Sequence, residues 1–294
     1  MIHIIIPVHN RLSLTKQCIR SIENQTYTDW KVCVVDDGSS DGTFEWLTSL
    51  NNSNIRCIKS DGSNWWTGSM HLGVKDVLND SLNDDYVMSI NNDIVLSLNA
   101  IEVLVNAIKD NPKAIFSSIS ISNDKDKRIM SSGAKMISWI LNIAYHPFYG
   151  KLYDDLDNFS RVKVDMLTGR SVLYPISVFD NNNSFDCKRF PQYGGDNEFT
   201  NRAQKLGYQL FIEPLSIVFV QRSETGLNPI DRVLNLSEKI HSLFSIRSVN
   251  NIVIRTRFAL IVPPIYARPS YLVISLLKIL IHLFIGNLII KFRK

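Results

Sequence analysis

The stretch Tyr86-Val-Met-Ser-Ile-Asn-Asn-Asp-Ile-Val95 sets the terms on which the rest of the chain is read. Tyr86 to Ile90 is a short, mostly apolar run, the pattern of a strand buried on both faces, and it stops at Asn91-Asn92-Asp93. Such strands belong to sheets covered by helices on both sides, and in open α/β sheets ligands bind outside the carboxyl ends of the strands. Asn-Asn-Asp at such an end has two readings. It is ordinary turn chemistry, or it is a rim where a carboxylate flanked by amides offers hard oxygen ligands to Mg²⁺ or Mn²⁺.

Outward from this stretch the patterns alternate. Residues 2–6 are an apolar run ended by Pro7. Residues 12–24 have helical spacing through Leu14, Cys18, Ile19 and Ile22, with Ser13 available as a cap. Residues 31–35 predict a second strand and 55–59 a third, with a short helix over 44–50 between them. Helices over 68–78 and 98–109 flank the Tyr86 strand, and another strand falls near 114–120. Strands alternating with helices predict an α/β fold built on a mainly parallel central sheet.

The second strand ends in Asp36-Asp37-Gly38-Ser39-Ser40-Asp41-Gly42. Parallel strands end on the same side, so this turn and the Asn-Asn-Asp turn face one crevice. Four acidic side chains at one rim (Asp36, Asp37, Asp41, Asp93) are costly unless cations or hydrogen-bond donors satisfy them. A solvated turn accounts for Asp41 by itself. Asp36 and Asp37 lie closer to the strand, and for them a functional role is the stronger reading.

Composition narrows the class. The chain has 294 residues, 45% hydrophobic and 20% charged, which suits one large α/β domain with an appendage or two domains. Cys18, Cys33, Cys57 and Cys187 lack metal-ligand spacing and read as free thiols in a reducing compartment. Met1 leads straight into an apolar strand with no basic n-region, so a cytoplasmic location is expected. Nine of the 32 Lys/Arg and one of the 28 Asp/Glu fall from Glu238 onward, leaving 23 basic against 27 acidic residues before it. A body of charge −4 therefore carries a tail of +8. Such a tail suits nucleic acid or an anionic lipid surface, and its hydrophobicity selects lipid.

Three motifs then carry a resemblance. Ile4-Ile-Ile-Pro-Val-His-Asn10, Val34-Val-Asp-Asp-Gly-Ser-Ser-Asp-Gly-Thr43 and Ile90-Asn-Asn-Asp93 together resemble the nucleotide-sugar half of inverting glycosyltransferases of family 2, which have the GT-A fold. Trp65-Trp66-Thr67-Gly68-Ser69 and the Asn-Asn-Asp form of the Asp-x-Asp motif look like bacterial rhamnosyltransferase-type members, which build O-antigen, capsule and similar surface polysaccharides. The resemblance covers about residues 2–226. It implies that Pro7 and Asp37 contact the nucleotide base with Asp36 beside them, and that Asn10, Arg11 and Trp66 belong to the same nucleotide-sugar set. It implies Asn91 and Asn92 beside the ribose and diphosphate, and Asp93 as the ligand of a divalent cation, Mg²⁺ or Mn²⁺. Asn91 departs from the family pattern by lacking charge, and His71 stands where the family commonly has Asn.

The second half is expected to supply the acceptor side. Residues 163–167 predict a strand leading into Thr168-Gly169-Arg170-Ser171, which resembles the family's segment beside the donor sugar, although a plain Gly turn between strands remains an alternative. In Phe190-Pro-Gln-Tyr-Gly-Gly-Asp-Asn-Glu-Phe199, Gly194-Gly195 permits a sharp bend and Asp196 opens a helix. An N-cap explains an Asp there; the resemblance to the family's Glu-Asp-x-Asp motif makes Asp196 the catalytic base instead. Glu198 and Arg202 form an i,i+4 pair and read as structural. Gln221 stands about where many relatives carry a metal-holding His, and Arg222 is then expected to take up diphosphate charge.

The tail's residues 271–290 are apolar enough to span a bilayer. Ser275, Lys278, His282 and Gly286, however, line a narrow polar face that suits an amphipathic helix in the membrane interface. Packing on its own domain or in a dimer is the alternative. The expected organisation is a GT-A domain over 1–230, its nucleotide-sugar half 1–120 and acceptor half 121–230, followed by a basic helical, amphipathic C-terminal region over 231–294. The expected protein is a transferase that uses a nucleotide-sugar donor and a lipid-linked glycan acceptor. It works peripherally on the inner face of the cell membrane, with no nucleic-acid partner and possible oligomers. A sugar nucleotidyltransferase and a catalytically inactive sugar-nucleotide-binding subunit are the alternatives; the first lacks a Gly-rich phosphate loop after its first strand.

Overall fold

The computed structural model describes residues 1–156, 159–221 and 235–284. Its first half is a run of strand–helix units: β1 (Ile2–Val8), α1 (Leu12–Glu23), β2 (Trp30–Asp37), α2 (Thr43–Ser49), β3 (Ile55–Ser60), α3 (Trp65–Val77) and β4 (Tyr86–Ile90). β1 pairs in parallel with both β2 and β4, and β2 with β3. Successive side chains of a strand point to opposite faces. Accordingly Ile2, Ile4 and Ile6 enter the core under α1, while Ile5 enters the core under α3 on the other face. Each fully buried Ile contributes about 1.5–3 kcal/mol of transfer free energy, which is why these apolar runs fix the layers.

β5 (Ile94–Leu96), α4 (Ala100–Asp110) and the fully buried β6 (Ala114–Ser122) follow. The second half contributes β7 (Ile129–Met130), β8 (Gly133–Ser138), β9 (Ile143–Tyr145), β10 (Val162–Val164), β11 (Met166–Leu167), β12 (Ser171–Pro175), α5 (Gly195–Lys205) and β13 (Gln209–Val220). The main sheet has ten strands, ordered β10-β13-β6-β12-β4-β1-β2-β3, with β5 on β13 and β7 on β6. β12 is inserted antiparallel between β4 and β6. That insertion sets the register Ser171↔Ile90, so the turn before β12 lies against the turn after β4.

Local departures from expectation have physical reasons. The strand expected over 163–167 is two: β10 pairs with β13 in the main sheet, while β11 pairs with β8 in a small β11-β8-β9 sheet. The chain changes sheets at Asp165, whose carboxylate accepts the Met136 amide at 2.7 Å. Ser13 does not cap α1. The cap position is Arg11 in the left-handed region (φ +64°), and the Leu12 amide goes to Asp41 Oδ2 at 2.8 Å, so Asp41 serves as a remote cap.

Of the C-terminal helices α6 (Leu236–Phe244), α7 (Ile252–Ile261) and α8 (Arg268–Phe284), α7 and α8 pack on the second half and α6 on α7. Phe258 lies edge-on to Phe190 at 6.1 Å, and Tyr271 lies 6.0 Å from Trp139. Lys205 Nζ donates to the Val262 carbonyl at 2.7 Å. The stretch Ile265–Leu283 is long and apolar enough to cross a membrane by length and composition.

Candidate active site

Four loops meet at the carboxyl ends of β1, β2 and β4. The loop after β1 and the loop after β2 are joined directly: the Asn10 amide donates to Ser39 Oγ at 2.7 Å, and the Ser40 amide to Asn10 Oδ1 at 2.9 Å. Asn10 and Arg11 both adopt positive φ, 59° and 64°. Two consecutive non-Gly residues in that region are uncommon, and the cross-loop bonds hold them there. Pro7 sits opposite Val35 at the end of the β1–β2 ladder.

The paired aspartates differ in duty. Asp37 is saturated: its Oδ1 accepts from Ser60 Oγ (2.8 Å), the Asn64 amide (3.2 Å) and Asn64 Nδ2 (3.3 Å), and its Oδ2 from the Trp65 amide (2.8 Å). It anchors the entry to α3. Asp36 is fully buried; Oδ1 takes the amide and hydroxyl of Ser39, while Oδ2 has no protein partner. A buried carboxylate oxygen without a donor is costly, so Asp36 has the spare acceptor that Asp37 lacks.

Behind β4, Trp66 is the keystone. Its indole Nε1 donates to Asn91 Oδ1 at 2.8 Å, and its amide donates to Gln192 Oε1 at 3.0 Å. The ring lies on Gly169, where an added Cβ would meet Cζ2 at 2.4 Å. Only glycine lets the turn approach that closely. Asn91 in turn donates its amide to the Arg170 carbonyl at 3.0 Å. Asn92 points away, its Nδ2 on Thr15 Oγ1 of α1 at 3.1 Å, and it is buried. Its side chain ties the rim to α1.

Asp93 stands beside two guanidiniums. Arg11 Nη1 is 3.7 Å from its Oδ2, Arg170 contributes a second positive charge, and Oδ1 is buried without a protein partner. Burial raises the Asp93 carboxyl, and Arg11 and Arg170 only partly offset it. Burial likewise lowers Arg170, against the pull of Asp93 and Asp196, and its Nη1 donates to the Ser131 carbonyl at 2.7 Å.

Asp196 completes the cluster from the second half. Gly194 turns the chain with φ +81°, and α5 lies so close to α3 that a Cβ on Gly195 would meet Thr67 Oγ1 at 2.5 Å. Asp196 Oδ2 accepts the Gly169 amide at 2.9 Å and Oδ1 the Asn197 amide at 2.8 Å. Desolvation raises its carboxyl above the ordinary range despite these donors and the Arg170 charge. The neighbouring Glu198–Arg202 pair is bidentate at 2.7 and 3.0 Å and also ties down the Ser184 carbonyl.

Thus Asn91, Asp93, Gly169, Arg170, Trp66 and Asp196 form one connected cluster, while Asn92 is turned aside. Arg222 lies outside the described residues. Gln221 Oε1 accepts Asn123 Nδ2 at 2.9 Å and its amide donates to the Asp93 carbonyl at 2.8 Å, so it braces Asp93 through the backbone. Gln192 and the Ser131 carbonyl were not legible as site elements, because isolated loop positions carry no pattern. Among the described residues no three His, Cys, Asp or Glu side chains form a ready-made metal cluster. A single carboxylate with a free buried oxygen nonetheless suits a cation whose remaining ligands come from substrate phosphates.

A mainly parallel sheet with a carboxylate rim at its strand ends and a second carboxylate arriving from an inserted half defines a GT-A-type glycosyltransferase fold. The chain belongs to glycosyl transferase family 2, whose profile matches residues 3–176. Among curated proteins it is 38% identical over 56 residues to a chondroitin synthase of Pasteurella multocida, covering 19% of this chain and 6% of that protein. It is 29% identical over 136 residues to an uncharacterized glycosyltransferase of Rickettsia felis, covering 44% and 21%. The chain therefore spans well under two thirds of these relatives. Among solved structures, GalNAc-T7 with UDP, GalNAc and Mn²⁺ superposes with TM-score 0.59 at 13% identity, over 75% of this chain and 43% of that one. S. aureus TarS 1–349 superposes with TM-score 0.53 at 13% identity, over 97% and 73%. The superpositions show a GT-A-like fold, and the profile match places the chain in glycosyl transferase family 2.

Proposed function

We propose that this protein is an inverting glycosyltransferase that moves a sugar from a nucleotide-diphosphate donor to a hydroxyl of a lipid-linked glycan at the inner face of the cell membrane. The observation that carries this reading is the Arg170 turn. Its guanidinium lies in the field of both Asp93 and Asp196, and its neighbour Gly169 is hydrogen-bonded to Asp196. Asp93 and Arg11 mark the diphosphate end, and Asp196 marks the reacting end. Asp36, Pro7 and Asn10 line the route to the base, and Asp37 shapes that wall by fixing Asn64 and Trp65.

Inversion is an in-line displacement in which the acceptor hydroxyl loses its proton as it attacks. A carboxylate within hydrogen-bond reach takes that proton, and a raised pKa strengthens Asp196 as its acceptor. The leaving diphosphate gains charge, and Arg11 and Arg170 are placed to bind and orient it by charge-assisted hydrogen bonds. A divalent cation held by Asp93 would supply Lewis-acid stabilisation of that charge.

The donor in this reading is dTDP-rhamnose or a UDP-hexose, and the product a bacterial surface polysaccharide such as O-antigen or capsule; the chondroitin synthase relative supports a sugar-polymer product. Residues 1–230 make the catalytic domain and 231–294 a membrane-associated region. A screen of nucleotide sugars for thermal stabilisation, with and without Mn²⁺, tests the donor assignment. Unchanged sugar transfer by Asp196→Asn would remove the base assignment, whereas nucleotide-sugar binding without any transfer by the wild-type protein would favour a sugar-nucleotide-binding role.

A further inference from the structure

Two stretches of the sequence contain no acidic residue: residues 127–153, and everything after Glu238. The fold brings them together. Asn142, at the turn between β8 and β9, donates Nδ2 to Ser275 Oγ of α8 at 2.9 Å, and its carbonyl accepts from Lys278 Nζ. Trp139 packs against Tyr271, and His282 is hydrogen-bonded to Asn250 at 3.1 Å. Of the polar face expected on this helix, Ser275 is buried against the protein and His282 half-buried, while Lys278 stays exposed with its ammonium on the Asn142 carbonyl.

Apart from Lys278, what α8 leaves outside is apolar. Val273, Leu277, Leu280 and Ile281 are 57%, 50%, 49% and 53% exposed, and their spacing puts them on one stripe. A surface helix of a soluble domain turns its polar face outward; α8 instead buries Ser275 and exposes mostly apolar side chains. The hairpin extends the apolar surface with Ile137, Ile140, Leu141 and Ile143, all exposed. Exposed apolar area of this kind marks an interaction surface. Lys135 and Lys278 are exposed within these same elements.

We infer that the β8–β9 hairpin is a second membrane-contact element, forming with α8 one face that takes an anionic lipid surface. Basic residues around an apolar face, with no acid in either segment, match that partner. The same hairpin reaches the site: the Ser131 carbonyl at its base accepts Arg170 Nη1 at 2.7 Å, and Met136 is bonded to Asp165. A lipid-borne acceptor hydroxyl is thereby presented next to residues 165–170, which rests on the glycosyltransferase reading above.

The test uses the full chain and vesicles of equimolar phosphatidylcholine and phosphatidylglycerol, with a hairpin variant (Ile140→Asp with Leu141→Asp) and a helix variant (Leu277→Asp with Ile281→Asp). Each is expected to lower vesicle partitioning by about tenfold or more. Both should keep the wild-type melting temperature and the wild-type stabilisation by nucleotide sugar, which shows that they fold. Wild-type partitioning by the hairpin variant overturns the inference and leaves the transferase reading intact. Conversion of a dimer to a monomer by light scattering, with vesicle binding unchanged, overturns it in favour of a second copy as the partner. Failure of every nucleotide sugar to bind, with lipid binding retained, removes only the transferase reading.

Discussion

Asp196 Oδ2 accepts the backbone amide of Gly169 at 2.9 Å, so the carboxylate at the start of α5 and the turn that presents Arg170 move as one unit. Asp196→Asn can keep this hydrogen bond through its amide oxygen while losing the ability to take a proton. Sugar transfer is expected to fall by about 10²–10⁴ with donor affinity unchanged. Because burial raises this carboxyl in the free protein, the acid limb of the wild-type kcat/KM–pH profile should have its midpoint above about 3.9, the usual Asp value. Activity should be lost as pH falls through that midpoint. Kinetics across the acid range check both points; an acid limb that persists in Asp196→Asn removes the base assignment.

The contact between Gly169 and the Trp66 ring gives a second prediction. A Cβ at 169 would lie 2.4 Å from the indole, and overpacking of this kind costs about 1–3 kcal/mol. Gly169→Ala should lower the melting temperature by roughly 2–4 °C for each kcal/mol lost. In Trp66→Ala the obstacle is gone, so the same alanine should cost almost nothing. A thermal double-mutant cycle measures that coupling; additive effects would contradict the close packing.

Much of this fold was legible because buried strands and helical spacing are local signals. The end of β4 at Ile90 was readable from the apolar run that stops at Asn91. So were the Asp-rich turn and the Gly194-Gly195 bend. Side-chain direction was not readable. Asn92 turns to Thr15, and Asp37 spends both oxygens on α3; neither follows from a motif, because the partners are set by the packing of α1 and α3. The polar stripe of α8 was visible, but the burial of its Ser275 depends on Asn142, which is far away in sequence and marked by no pattern. The split of the expected 163–167 strand likewise needed knowledge of two sheets.

Asp37 supports a prediction about stability that is separate from catalysis. Its carboxylate accepts the Asn64 and Trp65 amides together with Ser60 Oγ, and Asp37→Ala leaves those donors without their acceptor. The loss should be about 2–3 kcal/mol. Asp61→Ala, at an exposed carboxylate bonded only within its own turn, should cost much less. Urea titration of both variants makes the comparison; equal losses would show that the Asp37 contacts do not hold the entry to α3.

The last prediction concerns Asp93, whose Oδ1 has no protein partner and whose carboxyl is raised by burial. A carboxylate with a raised folded-state pKa holds its proton more tightly when folded. Its contribution to stability is therefore lost as pH rises from the unfolded value, about 3.9, through the folded value. Asp93→Asn removes that term. The melting temperature of the variant, relative to wild type, should thus increase across this window and level off above it. Mn²⁺ with UDP or dTDP should reverse the ranking, stabilising wild type by mass action and leaving the variant nearly unmoved. Thermal melts from acid to neutral pH, with cation and nucleotide added singly and together, separate the two effects. If the nucleotide stabilises both proteins equally and Mn²⁺ adds nothing, the diphosphate charge is met by Arg11 and Arg170 alone.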